Sequence, residues 1–244
     1  MALSSLHLDL APTGKLRVGI NYGNPVLATR DPNSGQLAGV AVDLARELGR
    51  RTDLPVELVG FESAGKMVEG LQAAAWDVAF LAVDPGREQE INFTAPYIEI
   101  EGTYLVPPRS ALGAIADVDR ENVRVGVSSK SAYDLFLSRN LKHAQLVRAS
   151  SPEAAFELIV AGKVDALGGV RQHLVAHMEK LPGSRVLEGR FMAIQQALGI
   201  PKSHEAGLNY LREFIEDVKA SGFVARVLEK AGAQGVSIAP MTGK

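Results

Sequence analysis

The chain has 244 residues, 46% of them apolar and 22% charged, with a formal charge of -2, enough material for one large or two small globular domains. No basic block marks a nucleic-acid partner, and no cysteine is present to form a disulfide, a thiolate metal site or a nucleophile. The five histidines are scattered, with only His173 and His177 sharing a helical face, which argues against a histidine-ligated metal.

No stretch is apolar enough to span a bilayer. The opening MALSSLHLDLAPTGKLRVG has no basic start, no continuous apolar run and no small-residue cleavage site. As written, the chain is expected in the cytoplasm; a signal removed from its front would make it periplasmic. Leu3, Leu6, Leu8 and Leu10 predict a short helix before the Pro12-Thr13-Gly14 turn. Residues 16–21, LRVGIN, read as a strand, and Asp31-Pro32-Asn33-Ser34-Gly35 as a turn. An amphipathic helix is predicted over 40–51, a strand over 56–61, and a helix capped by Ser63 over 64–75. A strand over 78–83 completes a βαβαβ unit and with it a parallel sheet.

That third strand leads to Asp84-Pro85-Gly86-Arg87. Asp84 is read as a cap and Pro85 as the first residue of a single helical turn. Arg87 then stands just past the carboxyl end of the strand, where open α/β sheets bind ligands. Its guanidinium offers a planar fork of donors matched to a carboxylate or phosphate, although pairing with Glu88 or Glu90 on the surface would also account for it.

The grammar repeats. VRVGVS, from Val123, echoes LRVGIN, and the stretch from Leu146 to Gly169 echoes that from Leu58 to Leu81. Each reads strand, serine cap, helix, turn, aspartate, strand, with Asp165 at the offset of Asp77. Two echoes in the same order predict two similar α/β lobes. Extended runs at 97–108 and 194–201 would cross between them as a hinge, and helices over 205–220 and 223–231 would return to the first lobe.

Several segments together resemble the type II periplasmic solute-binding proteins of ABC transporters, in the polar amino-acid group called family 3. They are LRVGIN, GQLAGVAVDLARELG, WDVAFL, GREQEINFTAPY, VRVGVSSKSA, AGKVDAL and ASGFVARVLEK, which cover nearly the whole chain. The resemblance implies a two-lobed α/β fold, each lobe a mainly parallel sheet flanked by helices. Lobe 1 would be 1–98 plus 198–244 and lobe 2 would be 99–197, with hinge crossings near 97–102 and 194–199.

The resemblance also implies a site. Arg87 matches the arginine that grips a ligand carboxylate, and Ser131 matches a threonine that supports it from the start of a helix near Ala132. Asn24 stands where the family has a stacking aromatic residue, and Asn21 where an acidic residue is frequent. Two departures concern the ligand ammonium: the loop before Arg87 is shortened, and the aspartate after the VDA motif is replaced near Val170 and Arg171. Asp84 could take over as ammonium acceptor or serve only as a cap. Among charged residues, Lys66, Lys130 and Arg171 join Arg87 as cleft candidates, against Asp84 and Glu62; Lys66 lies in the first turn of its helix, against the dipole. Tyr22 and Tyr133 would supply an apolar wall.

The expected function is a binding protein that closes two lobes on a small carboxylate-bearing solute, an amino acid or organic acid, for ABC-type uptake. The alternatives are a lyase or dehydratase on the same scaffold and a ligand-sensing module. The expected partners are that solute and an ABC permease, with no nucleic acid, no membrane insertion, no metal and no cofactor, and the expected state is a monomer.

Overall fold

The computed structural model describes residues 5–233 and 235–242. The chain divides into two compact units, one of residues up to Glu99 together with Gln195 onward, the other Ile100–Ile194.

The first unit opens with helix α1 (Ser5–Leu10), one residue of whose predicted leucine pattern, Leu3, lies outside the described residues. Strand β1 (Leu16–Asn21) follows, then a two-stranded hairpin, β2 (Thr29–Arg30) and β3 (Leu37–Ala38), built on the 31–35 turn. Helix α2 (Val40–Thr52) buries Val40, Leu44 and Leu48, one turn apart, and each such side chain contributes about 1.5–3 kcal/mol by leaving water. Its start requires glycine. Gly39 has φ +124°, and a Cβ there would lie 2.7 Å from the Leu27 carbonyl oxygen. Then come β4 (Val56–Phe61), α3 (Ala64–Gln72) and β5 (Val78–Ala82). Helix α3 stops three residues short of the predicted end because Ala74 turns left-handed, φ 47°, to return the chain to the sheet. The short strand β6 (Ile91–Phe93) and the nine-residue β7 (Ile98–Val106) follow, the latter running on into the second unit.

The second unit contains β8 (Arg124–Ser128), α4 (Ala132–Asn140), β9 (Gln145–Ala149), α5 (Pro152–Val160), β10 (Ala166–Val170), α6 (Arg171–Met178) and β11 (Arg185–Val186). Strand β12 (Met192–Pro201) leads back to the first unit, which ends with α7 (Glu205–Ala220), α8 (Phe223–Lys230) and β13 (Val236–Ile238).

In the first unit β1 lies between β4 and β5, parallel to both, and β12 pairs antiparallel with β5 and β6. In the second, β8 lies between β9 and β10, parallel to both, and β10 pairs antiparallel with β7, which also takes β11. Each unit therefore holds a parallel trio of strands extended by antiparallel ones, a mixed arrangement rather than the mainly parallel one expected. Beneath α3 the first core gathers Met67, Trp76, Ala79, Leu81 and Ile91, and the Trp76 indole N–H donates to the Met67 carbonyl at 2.8 Å. The second gathers Leu105, Phe156, Ile159, Val164, Leu167 and Leu174.

The echo read from the sequence is a shared clamp. Arg17 Nε and Nη2 donate to the Asp77 carboxylate at 3.0 and 2.6 Å, and Nη1 caps the Ala74 carbonyl at 2.7 Å. Arg124 Nε and Nη2 donate to Asp165, each at 3.0 Å, and Nη2 reaches the Gly162 carbonyl at 3.2 Å. The serine caps agree too: Ser63 accepts from the Lys66 N–H and Ser151 from the Ala154 N–H.

Candidate functional site

Strand β5 is buried at every residue, as a strand covered on both faces must be, and delivers Asp84 and Arg87 at its carboxyl end. The turn there differs from the predicted one. A single 3-10 turn spans Arg87–Gln89, starting two residues later than expected. The Asp84 side chain does not cap it. Instead its Oδ1 accepts from the Gly86 N–H at 2.8 Å, an Asx turn, while its carbonyl accepts from the Arg87 and Glu88 amides. An aspartate two residues before a glycine satisfies that nearer amide first, which displaces the helical start.

Arg87 is only 5% exposed. Its Nη1 donates to the Ala82 carbonyl at 2.7 Å, which fixes the guanidinium against the end of β5. Burial lowers its pKa to about 10, with the charge of Asp84 opposing. The side chain remains a cation at neutral pH.

The other predicted residues of this unit lie at the ends of β1 and β4. Asn21 ends β1, and its Oδ1 accepts from the Gly23 N–H at 3.0 Å. Asn24 is buried and its Oδ1 accepts from the Val26 N–H at 3.2 Å, so it shapes the turn locally. Tyr22 receives Arg30 over its ring, 5.5 Å from the centroid, beside a hollow of about 500 Å³ lined also by Thr29, Asp31, Pro32 and Gly35. Lys66 pairs with Glu62 at 2.5 Å, and that hydrogen bond raises the lysine pKa. The local carboxylate explains how a lysine is tolerated in the first turn of α3.

In the second unit, Ser131 caps α4. Its Oγ accepts from the Asp134 N–H at 3.1 Å, while the Asp134 carboxylate takes the Lys130 N–H at 2.8 Å and Arg148 Nε at 2.9 Å. One amide of the helix start, that of Asp134, is thus satisfied by the chain itself. Lys130 adopts φ 58° to make this turn. Tyr133 is buried beside Ser131 and Ser128; burial pushes its hydroxyl up to about 12, against hydrogen bonding to those serines. Arg171, at the start of α6, donates through Nε to Glu101 at 2.6 Å and through Nη2 to the Gly189 carbonyl. Asn21, Tyr22, Asn24, Lys66, Asp84 and Arg87 thus lie at or beyond the carboxyl ends of β1, β4 and β5 in the first unit, and Lys130, Ser131, Tyr133 and Arg171 beyond those of β8 and β10 in the second.

Gln196, which the sequence reading did not single out, lies directly across from Ala82 in the ladder of β12 and β5. The signal was present: Gln195-Gln196 is a polar pair inside an otherwise apolar strand, MAIQQALGIP.

The chain matches the bacterial extracellular solute-binding proteins, family 3, over residues 16–234. It belongs to that family. The virulence sensor protein BvgS of Bordetella pertussis (strain Tohama I) is 28% identical over 134 residues, which is 54% of this chain but 11% of the sensor. A glutamine-binding protein of Geobacillus stearothermophilus is 22% identical over 204 residues, covering 78% of this chain and 73% of that one. Among solved structures, a mutant of ArgBP from T. maritima aligns with a TM-score of 0.79 at 22% identity, over 95% of this chain and all of the other. The family is one of binding proteins, and the type II periplasmic binding fold expected from the sequence is the one observed. Among the described residues no helix is long and apolar enough to cross a membrane.

Proposed function

We propose that this family member binds a small carboxylate-bearing solute, an amino acid or an organic acid, and hands it to an ABC-type permease on the outer side of the membrane. Each unit would contribute half of the ligand shell and close on the solute. The observation that carries the proposal is Arg87: a cationic guanidinium, nearly sealed from water, held at the carboxyl end of a buried strand by the Ala82 carbonyl. A guanidinium held there presents a planar fork of donors that fits a ligand carboxylate in bidentate fashion. Asn21, Tyr22, Asn24, Asp84 and Lys66 surround this anchor in the proposal, with Ser131, Lys130, Tyr133 and Arg171 from the second unit.

The similarity to a virulence sensor supports a second reading, in which the same binding event reports to an output partner. The test of binding serves both. A thermal-shift screen against amino acids, dicarboxylates and other small organic acids should give one clear class of hits, since a micromolar ligand at millimolar concentration adds about 4 kcal/mol to native-state stability. Arg87→Ala should stay folded and bind that class at least 100-fold more weakly by calorimetry. A hit that is consumed on incubation would favour a lyase instead, and undiminished binding by Arg87→Ala would remove the anchor.

A further inference from the structure

Gln196 is 4% exposed, and its side-chain Oε1 is sealed with no hydrogen-bond partner among the described residues. Its backbone carbonyl accepts from the Tyr97 N–H at 2.8 Å, and the residue faces Ala82 across the antiparallel ladder of β12 and β5. Buried amides are nearly always hydrogen-bonded, so an amide oxygen left alone inside a unit needs a reason.

Position supplies one. Residues directly opposite in an antiparallel pair project to the same face about 4.5–5.5 Å apart. Gln196 therefore stands beside Ala82, the residue whose carbonyl holds the Arg87 guanidinium at 2.7 Å. The ladder continues one step further, the Val83 N–H donating to the Gln195 carbonyl at 2.9 Å, and Asp84 follows in the turn. A 2-amino or 2-hydroxy acid gripped by its carboxylate at Arg87 carries a hydrogen-bond donor one carbon away. Asp84 already gives one oxygen, Oδ1, to the Gly86 N–H, and the neutral amide oxygen of Gln196 offers that donor an acceptor from the neighbouring strand.

We propose that Gln196 is a specificity residue of the Arg87 site, its amide oxygen accepting from the ammonium or hydroxyl that a ligand carries on the carbon next to its carboxylate. The inference rests on the binding reading above. It assigns to β12, otherwise an apolar strand, the task of telling substituted acids from plain ones.

The test uses the full chain, the twenty standard L-amino acids and the corresponding 2-hydroxy acids as probes, and for each that binds, the same acid with hydrogen in place of the ammonium or hydroxyl. Gln196→Leu removes the amide at similar volume, and Gln196→Met provides a second, more adaptable apolar side chain should leucine fit poorly. The expected result has two parts. Without probe, at least one variant melts no lower than the wild type, because a group kept for binding does not hold the fold together. With probe, that variant binds the substituted acid at least tenfold more weakly, and its preference over the plain acid shrinks by a similar factor. Both variants melting several degrees below the wild type without probe would make Gln196 structural and overturn the proposal, as would affinity for substituted acids within twofold of wild type. A wild type that binds no probe brings down the binding reading and this inference with it. A wild type that binds while the variants do so equally well brings down this inference alone.

Discussion

Arg17 and Asp77 in the first unit make the same set of bonds as Arg124 and Asp165 in the second, yet the two clamps stand in different surroundings. The Asp77 side chain is 4% exposed and that of Arg17 22%, whereas Asp165 and Arg124 are 39% and 41% exposed. The bonding follows from spacing along the chain, an arginine early in the first strand and an aspartate just before the third. The strength follows from packing. Beside Asp77 stands Trp76, buried on Met67; at the same place in the second unit is the smaller Val164, which leaves the carboxylate open to water. A repeated motif therefore predicts repeated geometry without predicting repeated energy, because water screens one pair and is shut out from the other.

The difference can be broken experimentally. Asp77→Ala should cost about 3 kcal/mol, since it leaves a half-buried guanidinium and a strand amide without their carboxylate. For a chain of this size that lowers Tm by roughly 6–12 °C, readable by calorimetry.

The second unit also has a titratable group with no counterpart in the first. His177 is buried flat against Phe156, ring centroids 3.9 Å apart, next to His173, with Glu153 and Lys180 as the charges nearby. Burial first, then the charges of His173 and Lys180, push its pKa down to about 4. The sign follows from linkage: the unfolded histidine takes a proton near pH 6.5 and the folded one only near 4, so stability falls as pH drops through that window. The expected loss is about 2 kcal/mol once solvent screening is allowed for, and His177→Phe should flatten the melting profile between pH 6.5 and 4. An unchanged slope would mean that another group carries the acid sensitivity.

Smaller still is the effect of Asp165→Ala, about 1 kcal/mol, because both partners are solvated. Equal costs for Asp77→Ala and Asp165→Ala would abolish the distinction between the clamps. Arg124 holds the Asp165 carboxylate below the usual carboxylate range, so what this pair contributes is present above about pH 4 and fades as pH falls through the depressed value.

What was legible in the sequence was local or periodic. The serine caps at Ser63 and Ser151, the helix over Glu205–Ala220 and the two α/β lobes rest on spacing that a linear reading can see. The boundary of the 3-10 turn at Arg87 was not, because an Asx turn and a helix cap use the same aspartate and differ only in which amide is nearer. The partner of Arg171 was invisible for a different reason: Glu101 is 70 residues away and meets it only through the tertiary fold. Gln196 needed the register of β12 against β5 before its solitary amide acquired a meaning.

The division of the chain also sets an order of assembly. The second unit is one uninterrupted stretch, Ile100–Ile194, so every strand of its parallel trio is present once that stretch has left the ribosome. The first unit is split. Phe80 in β5 has no antiparallel neighbour until Leu198 of β12 is made, and α1 awaits α7 for its packing. During synthesis the later-made half is therefore the first able to finish, while the earlier-made half waits with an open sheet edge, the state in which a nascent chain depends most on chaperones.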